Sequence, residues 1–144
     1  MNTLLVVEDE KLIRQGIVAM IRRSSVPVEE ILECRNGEEA LEILRKQRVD
    51  VMFTDIRMPK MDGIEMLKEL RAEGNDVSVI FLTAYSEFSY AQSALKLLAS
   101  DYLLKPFGYG ELEQAMNNAL EKRKRTQEKL ENSKDEPLPE LVLN

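Results

Sequence analysis

Three acidic positions carry the clearest chemistry in this chain: the pair Glu8-Asp9 and the single Asp55. Each follows a short apolar run, Thr3–Val7 for the pair and Val51–Thr54 for Asp55. Runs of this kind read as buried parallel strands, and side chains just beyond such strands stand at the carboxyl edge of a sheet, where open α/β folds bind ligands. Carboxylates gathered there repel one another, by about 4 kcal/mol for a pair 4 Å apart at an effective dielectric of ~20. A hard divalent cation with oxygen ligands, such as Mg2+, offsets that repulsion. Two further residues belong to the same edge. Thr83 follows Val79–Leu82, and Lys105 follows Asp101–Leu104 and precedes Pro106-Phe107. An acid cluster, a hydroxyl and an ammonium around one hollow suit a phosphoryl group bound together with a metal.

The elements that must bring these residues together are legible as alternating patterns. Strands are expected at Thr3–Val7, Glu30–Cys34, Val51–Thr54, Val77–Leu82 and Asp101–Leu104. The second alternates polar and apolar residues, which places it at a sheet edge. Between them lie five helices with apolar stripes three or four residues apart. The first carries Ile13, Ile17, Met20 and Ile21, the second Ala40, Leu41 and Leu44, and the third Ile64, Leu67 and Leu70. The fourth, near Phe88 to Leu98, carries Ala91, Ala94, Leu95 and Leu98; the fifth, from about Tyr109, carries Leu112, Met116, Ala119 and Leu120. Asn36-Gly37 punctuates the start of the second helix and Gly74-Asn75 the end of the third. Strand–helix alternation of this kind predicts an α/β fold, a doubly wound five-stranded parallel sheet with right-handed crossovers. The common order for five strands is 2-1-3-4-5. That order makes strands one and three neighbours, so Glu8, Asp9 and Asp55 converge.

Bulk properties narrow the function classes. A chain of 144 residues suits one domain. With 44% hydrophobic and 32% charged residues the composition is that of an ordinary soluble protein. The net charge of -6 argues against nucleic-acid binding by this segment, which would need a basic face. No apolar stretch nears the length of a membrane span. The chain enters its first strand directly, with no signal-peptide pattern, so a cytoplasmic location is expected. There is no histidine, which removes His-ligated zinc enzymes and Ser-His hydrolases. The single cysteine, Cys34, reads as a buried inert thiol. After about Glu121 the chain becomes charged, with Lys122-Arg123-Lys124-Arg125 at its centre. The expected division is a folded domain over 1–122, then a charged helix extension and a linker or flexible tail over 123–144.

The motifs Val7-Glu8-Asp9-Glu10, Asp55-Ile56-Arg57-Met58-Pro59-Lys60-Met61-Asp62-Gly63, Leu82-Thr83-Ala84 and Tyr102-Leu103-Leu104-Lys105-Pro106-Phe107, in that order and spacing, resemble the receiver domain of two-component response regulators, over residues 2 to about 122. The resemblance implies a flavodoxin-like (CheY-like) fold and a set of roles. Asp55 is the implied phosphoacceptor, taking its phosphoryl group from a sensor histidine kinase. Glu8, Asp9, Asp55 and the backbone carbonyl of Arg57 are the implied Mg2+ ligands. Thr83 is the implied switch hydroxyl, Lys105 the implied partner of a phosphoryl oxygen, and Tyr102 the implied aromatic switch. A cis Lys105-Pro106 bond is implied too. On this reading the chain is a regulatory phospho-switch that catalyses only its own phosphorylation and dephosphorylation. Phosphorylation is expected to reset the face made by the fourth helix, the fifth strand and the fifth helix, and with it dimerisation or docking to an output module. The stretch Thr83-Ala84-Tyr85-Ser86-Glu87-Phe88-Ser89-Tyr90-Ala91 resembles receivers that precede AraC-type helix-turn-helix domains, which implies transcriptional output.

Each residue has a plainer reading. Glu8 and Asp9 would serve as caps of the first helix, Asp55 and Asp62-Gly63 as turn residues, Thr83 as a cap, Lys105 as a surface charge and Tyr102 as a packing tyrosine. Three rival functions stay open: a stand-alone single-domain receiver acting by protein–protein interaction, an interaction module without phosphorylation, and an aspartate-nucleophile phosphohydrolase. The last wants a second Asp two residues after its nucleophile, where this chain has Arg57, and a substrate-selecting cap for which the loop from Asp55 to Asp62 is short.

Overall fold

The computed structural model describes residues 2–84, 89, 92 and 101–135, the last ten through their helical backbone only. The strands are β1 (Thr3–Val7), β2 (Glu30–Cys34), β3 (Val51–Asp55), β4 (Ser78–Ala84) and β5 (Asp101–Lys105). The helices among the described residues are α1 (Lys11–Arg23), α2 (Gly37–Lys46), α3 (Gly63–Ala72) and α4 (Tyr109–Asp135). All strand pairs are parallel and the sheet order is β2-β1-β3-β4-β5. The polar-and-apolar second strand is indeed outermost. Of the five helices expected, four are seen among the described residues. The helix expected near Phe88 to Leu98 falls outside them, apart from Ser89 and Gln92, which are helical and exposed.

Period-two alternation sorts the apolar strands into two cores. Leu5, Val7, Met52, Val79 and Phe81 face α2 and α3, where Leu41, Leu44, Met66, Leu67 and Leu70 meet them. Leu4, Val6, Val51, Phe53, Ile80 and Leu82 face the other way, against Ile17 and Ile21 of α1 and Leu112, Met116 and Ala119 of α4. Burying each such aliphatic or aromatic side chain contributes roughly 1.5–3 kcal/mol, which is why strands covered on both faces carry almost no polar residues. Thr54 and Thr83 are the exceptions, both fully buried.

Local signals explain where the helices begin and end. Asn36 caps α2 by accepting from the Glu39 N–H at 2.9 Å, and Asp62 caps α3 by accepting from the Glu65 N–H at 2.8 Å. Gly74 takes a positive φ of 80° just past α3, and the Asn75 N–H returns to the Leu70 carbonyl at 2.9 Å, a left-handed helix stop.

Four expectations need correction. Ile13 does not face the core: it is 40% exposed, and its neighbour Leu12 is 82% exposed, because α1 buries its side chains only from Ile17 onward. The strand expected at Val77–Leu82 runs instead from Ser78 to Ala84, and the strand expected to stop at Leu104 includes Lys105. The cause is mutual pairing: Thr83 registers with Leu104 and Ala84 with Lys105, so the ladder holds both ends in extended form. Asp55 likewise ends β3 from inside the strand, paired with Leu82.

Candidate functional site

Because every strand runs the same way, their last residues share one edge. The pairings Val7–Thr54, Asp55–Leu82 and Ala84–Lys105 set Glu8, Asp9, Asp55, Thr83 and Lys105 along it. Asp55 is the centre. Its Oδ1 accepts from the Ile56 N–H at 2.7 Å, and its Oδ2 accepts from the Lys105 ammonium at 3.1 Å. Both side chains keep access to solvent, at 22% and 33% exposure.

The acid pair divides its labour. Glu8 is buried at 2% exposure while Asp9 is exposed. Glu8 Oε1 accepts from the Glu10 N–H at 3.2 Å, whereas Oε2 is buried with no hydrogen-bond partner. An ionised carboxylate only accepts, so a buried, unpartnered oxygen calls for a proton or a cation. Burial, the adjoining Asp9 carboxyl and the negative charge of Asp55 push Glu8 up to about 7, against the opposing effects of the Glu10 N–H and Lys105.

This donor set fits Mg2+. Among the described residues no three His, Cys, Asp or Glu side chains gather closely enough to hold a metal by themselves. Mg2+ does not ask for that: it takes one or two carboxylates, keeps several waters and strongly prefers oxygen. The orphaned Glu8 Oε2 beside Asp9 marks where positive charge is missing.

The plainer readings fare unevenly. The N-cap of α1 is Glu10, and it makes no side-chain capping bond, so neither Glu8 nor Asp9 caps that helix. Asp62, expected as a turn residue, is instead the cap of α3. Thr83 is buried, its hydroxyl donating to the Ala84 carbonyl at 3.1 Å. Tyr102 is 38% exposed at the sheet's outer strand, not packed in the core. Arg57 is exposed on the loop after Asp55, where with Met58, Lys60, Asp62 and Glu65 it lines an open cleft of about 360 Å³. The Lys105-Pro106 bond is cis. Cys34 is buried and free, its thiol pushed up to about 12 mainly by burial.

Sequence reading missed three contributors. The Ile56 amide serves Asp55 through the backbone, which no side-chain motif reveals. Gly63 lies against the back of the site: a Cβ there would stand 2.5 Å from the Asp55 carbonyl oxygen and 2.8 Å from Phe81 Cε1. Arg14 of α1 donates to the Glu8 carbonyl at 2.7 Å.

Known proteins share this arrangement of elements. The model of the response regulator receiver domain matches residues 4–117. The uncharacterized transcriptional regulatory protein YesN of Bacillus subtilis (strain 168) is 32% identical over 125 residues, covering 87% of this chain and 34% of the relative. The crystal structure of a response regulator receiver domain protein from Clostridium thermocellum superposes with a TM-score of 0.79 at 31% identity, over 88% of this chain and 99% of that one. A two component transcriptional regulator AraC from Clostridium phytofermentans ISDg gives a TM-score of 0.76 at 32% identity, over 90% and 99%. The chain spans less than half the length of the curated relatives it matches. No helix among the described residues is long and apolar enough to cross a membrane.

Proposed function

Because the chain belongs to the response regulator receiver domain family, we propose that it is a phosphorylation-operated switch in which Asp55 accepts a phosphoryl group from a sensor histidine kinase. The observation that carries this reading is the Lys105–Asp55 contact of 3.1 Å at the same sheet edge as the orphaned Glu8 oxygen. An oxygen of Asp55 forms the new bond to phosphorus; the bond from phosphorus to the donor's imidazole nitrogen breaks, and its electron pair stays on the imidazole. Lys105 keeps its ammonium at the attacking carboxylate and is placed to follow the negative charge onto a phosphoryl oxygen. The Ile56 N–H holds the other oxygen of Asp55 and so fixes the line of attack. Asp9 and Asp55, with Glu8 and the Arg57 carbonyl, would hold Mg2+, which would supply charge neutralisation for the acids and the phosphoryl oxygens.

The switch follows from competition for one hydroxyl. Thr83 now donates to the Ala84 carbonyl. A phosphoryl group adds roughly 1.5 to 2 negative charges and strong acceptors, which draw that hydroxyl away. The loop after β4 then resets, and the exposed Tyr102 ring moves toward the space released. Moving a switch from mostly off to mostly on takes about 5.5 kcal/mol of bias. One phosphoryl group with two new contacts supplies part of it, and binding of a partner supplies the rest.

The affected face comprises β5 and α4 among the described residues; the fourth helix expected to complete it, near Phe88 to Leu98, lies outside them. This face changes dimerisation or docking to an output; the likeness to transcriptional regulators supports a transcription-regulating DNA-binding domain in that role. On this reading residues 1–122 form the receiver and 123–144 a charged helix extension and a linker or flexible tail, acting in the cytoplasm and binding no nucleic acid. The protein catalyses only its own phosphorylation and dephosphorylation. The test is intact mass after incubation with Mg2+ and a small-molecule phosphodonor. Wild type should gain one phosphoryl group and Asp55→Asn none. A wild type that gains nothing overturns the switch, and equal gain by Asp55→Asn overturns the assignment.

A further inference from the structure

We infer that Arg14 is a positioning residue for the acid pair, holding the Glu8–Asp9 peptide so that the two carboxylates present a fixed spacing to a cation. The inference rests on the proposed Mg2+-dependent phosphoacceptor reading and adds to it a residue outside the acid, hydroxyl and ammonium set.

Arg14 ties together three elements behind the acids. From the first turn of α1, its Nη1 donates to the Glu8 carbonyl at 2.7 Å, and its Nε pairs with Glu33 Oε1 of β2 at 3.2 Å. The side chain is 13% exposed although one face of α1 is open to solvent. The Glu8 N–H is itself bonded to the Cys34 carbonyl at 3.1 Å. Both backbone groups of Glu8 are therefore occupied, one by β2 and one by Arg14. With that peptide pinned, Glu8 turns inward to its buried position and Asp9 outward to the exposed edge.

Helix energetics do not account for an arginine here. Cations near a helix N-terminus oppose the macrodipole, and α1 carries no acidic residue in its first turn to compensate. The placement serves the loop rather than the helix. Nor is Arg14 the charge that balances Glu8, since the cation acting on that carboxylate is Lys105. Arg14 works through the backbone, by orientation.

Orientation matters because Mg2+ demands near-ideal octahedral geometry, and loss of groups that orient metal ligands costs about 10–100-fold in metal affinity. The experiment is calorimetric Mg2+ titration of the full chain, well below its melting midpoint, with the metal-free midpoint measured separately. Arg14→Ala should bind Mg2+ about 10-fold more weakly. Arg14→Lys, with a single donor group in place of the fork, should recover part of the loss. Arg22→Ala, which removes the same charge from the far end of α1, should stay within about twofold of wild type. Should Arg14→Ala fail to fold, Arg14→Gln carries the same expectation. Wild-type affinity in Arg14→Ala or Arg14→Gln overturns the inference while leaving the proposed function intact. Absence of Mg2+ binding by wild type overturns the proposed function instead.

Discussion

Lys105 Nζ reaches Asp55 Oδ2 at 3.1 Å across the end of β4, the strand that separates β3 from β5. Neighbouring strands lie about 4.8 Å apart, so the lysine spans two strand spacings, and only a long flexible side chain can do this. The contact brings an ammonium onto the carboxylate proposed as the phosphoacceptor.

Replacing that lysine should separate catalysis from stability. The pair is partly solvated, so Lys105→Ala should change the melting free energy by no more than about 1 kcal/mol. Phosphoryl uptake from a small-molecule donor should slow roughly 10²–10³-fold, the usual loss when one donor to a developing charge is removed. Uptake at the wild-type rate would show that the ammonium is not used.

Glu8 makes metal-free stability depend on pH. Its carboxyl is raised from 4.5 to about 7 in the folded chain. A raised carboxyl binds its proton more tightly when folded, so its contribution is fully present below pH 4.5 and is lost as pH rises through about 7. The metal-free unfolding free energy should fall across that window, by at most about 1.4 kcal/mol per pH unit from this group. Glu8→Gln should remove this component. Mg2+ should stabilise strongly at pH 8 and weakly at pH 5, since proton and cation compete for the same oxygens. A wild-type profile that matches Glu8→Gln would refute the assignment.

Gly63 is required by close approach. Its N–H bonds the Ile56 carbonyl at 2.7 Å, and an added methyl would stand 2.5 Å from the Asp55 carbonyl oxygen. Gly63→Ala should cost about 1–3 kcal/mol by denaturant unfolding, the range for overpacking, and should lower phosphoryl uptake by displacing Asp55. Wild-type behaviour in both assays would mean that the turn relaxes freely.

The opposite end of the sheet has its own anchor. Asp50 Oδ2 accepts from the Thr3 N–H at 2.8 Å, while Oδ1 lies 3.7 Å from Arg123 Nε of α4. Arg123 also donates to the Asp76 carbonyl at 2.8 Å. Asp50→Ala strands the Thr3 amide and removes the carboxylate facing Arg123 Nε, an expected loss of about 1–3 kcal/mol by denaturant unfolding. Phosphoryl uptake should be unchanged below the melting transition, because the active edge lies at the other end of every strand. A loss of uptake in the folded variant would show that the two edges are coupled.

Much of this was legible in the residues. Five apolar runs separated by striped helices dictate a parallel sheet, because strands buried on both faces need helices on both faces. The order β2-β1-β3-β4-β5 follows from the polar second strand and the preference for that winding, and it makes β1 and β3, which lead into Glu8-Asp9 and Asp55, neighbours. Asn36, Asp62 and Gly74 mark helix ends through chemistry confined to a few residues. What the tertiary structure decided is which of two adjacent residues faces inward. Ile13 follows the apolar period of α1 and is still exposed, because periodicity fixes a face but not how far the sheet extends beneath it. Glu8 and Asp9 read alike as acids, yet one is buried and the other exposed, since their peptide is held by Cys34 and Arg14 from other elements. Gly63 looks like any turn glycine until Phe81 packs against it. Local propensity acts over a few residues and is written along the chain. Orientation and close contact come from bonds between distant segments, which exist only once the sheet has assembled.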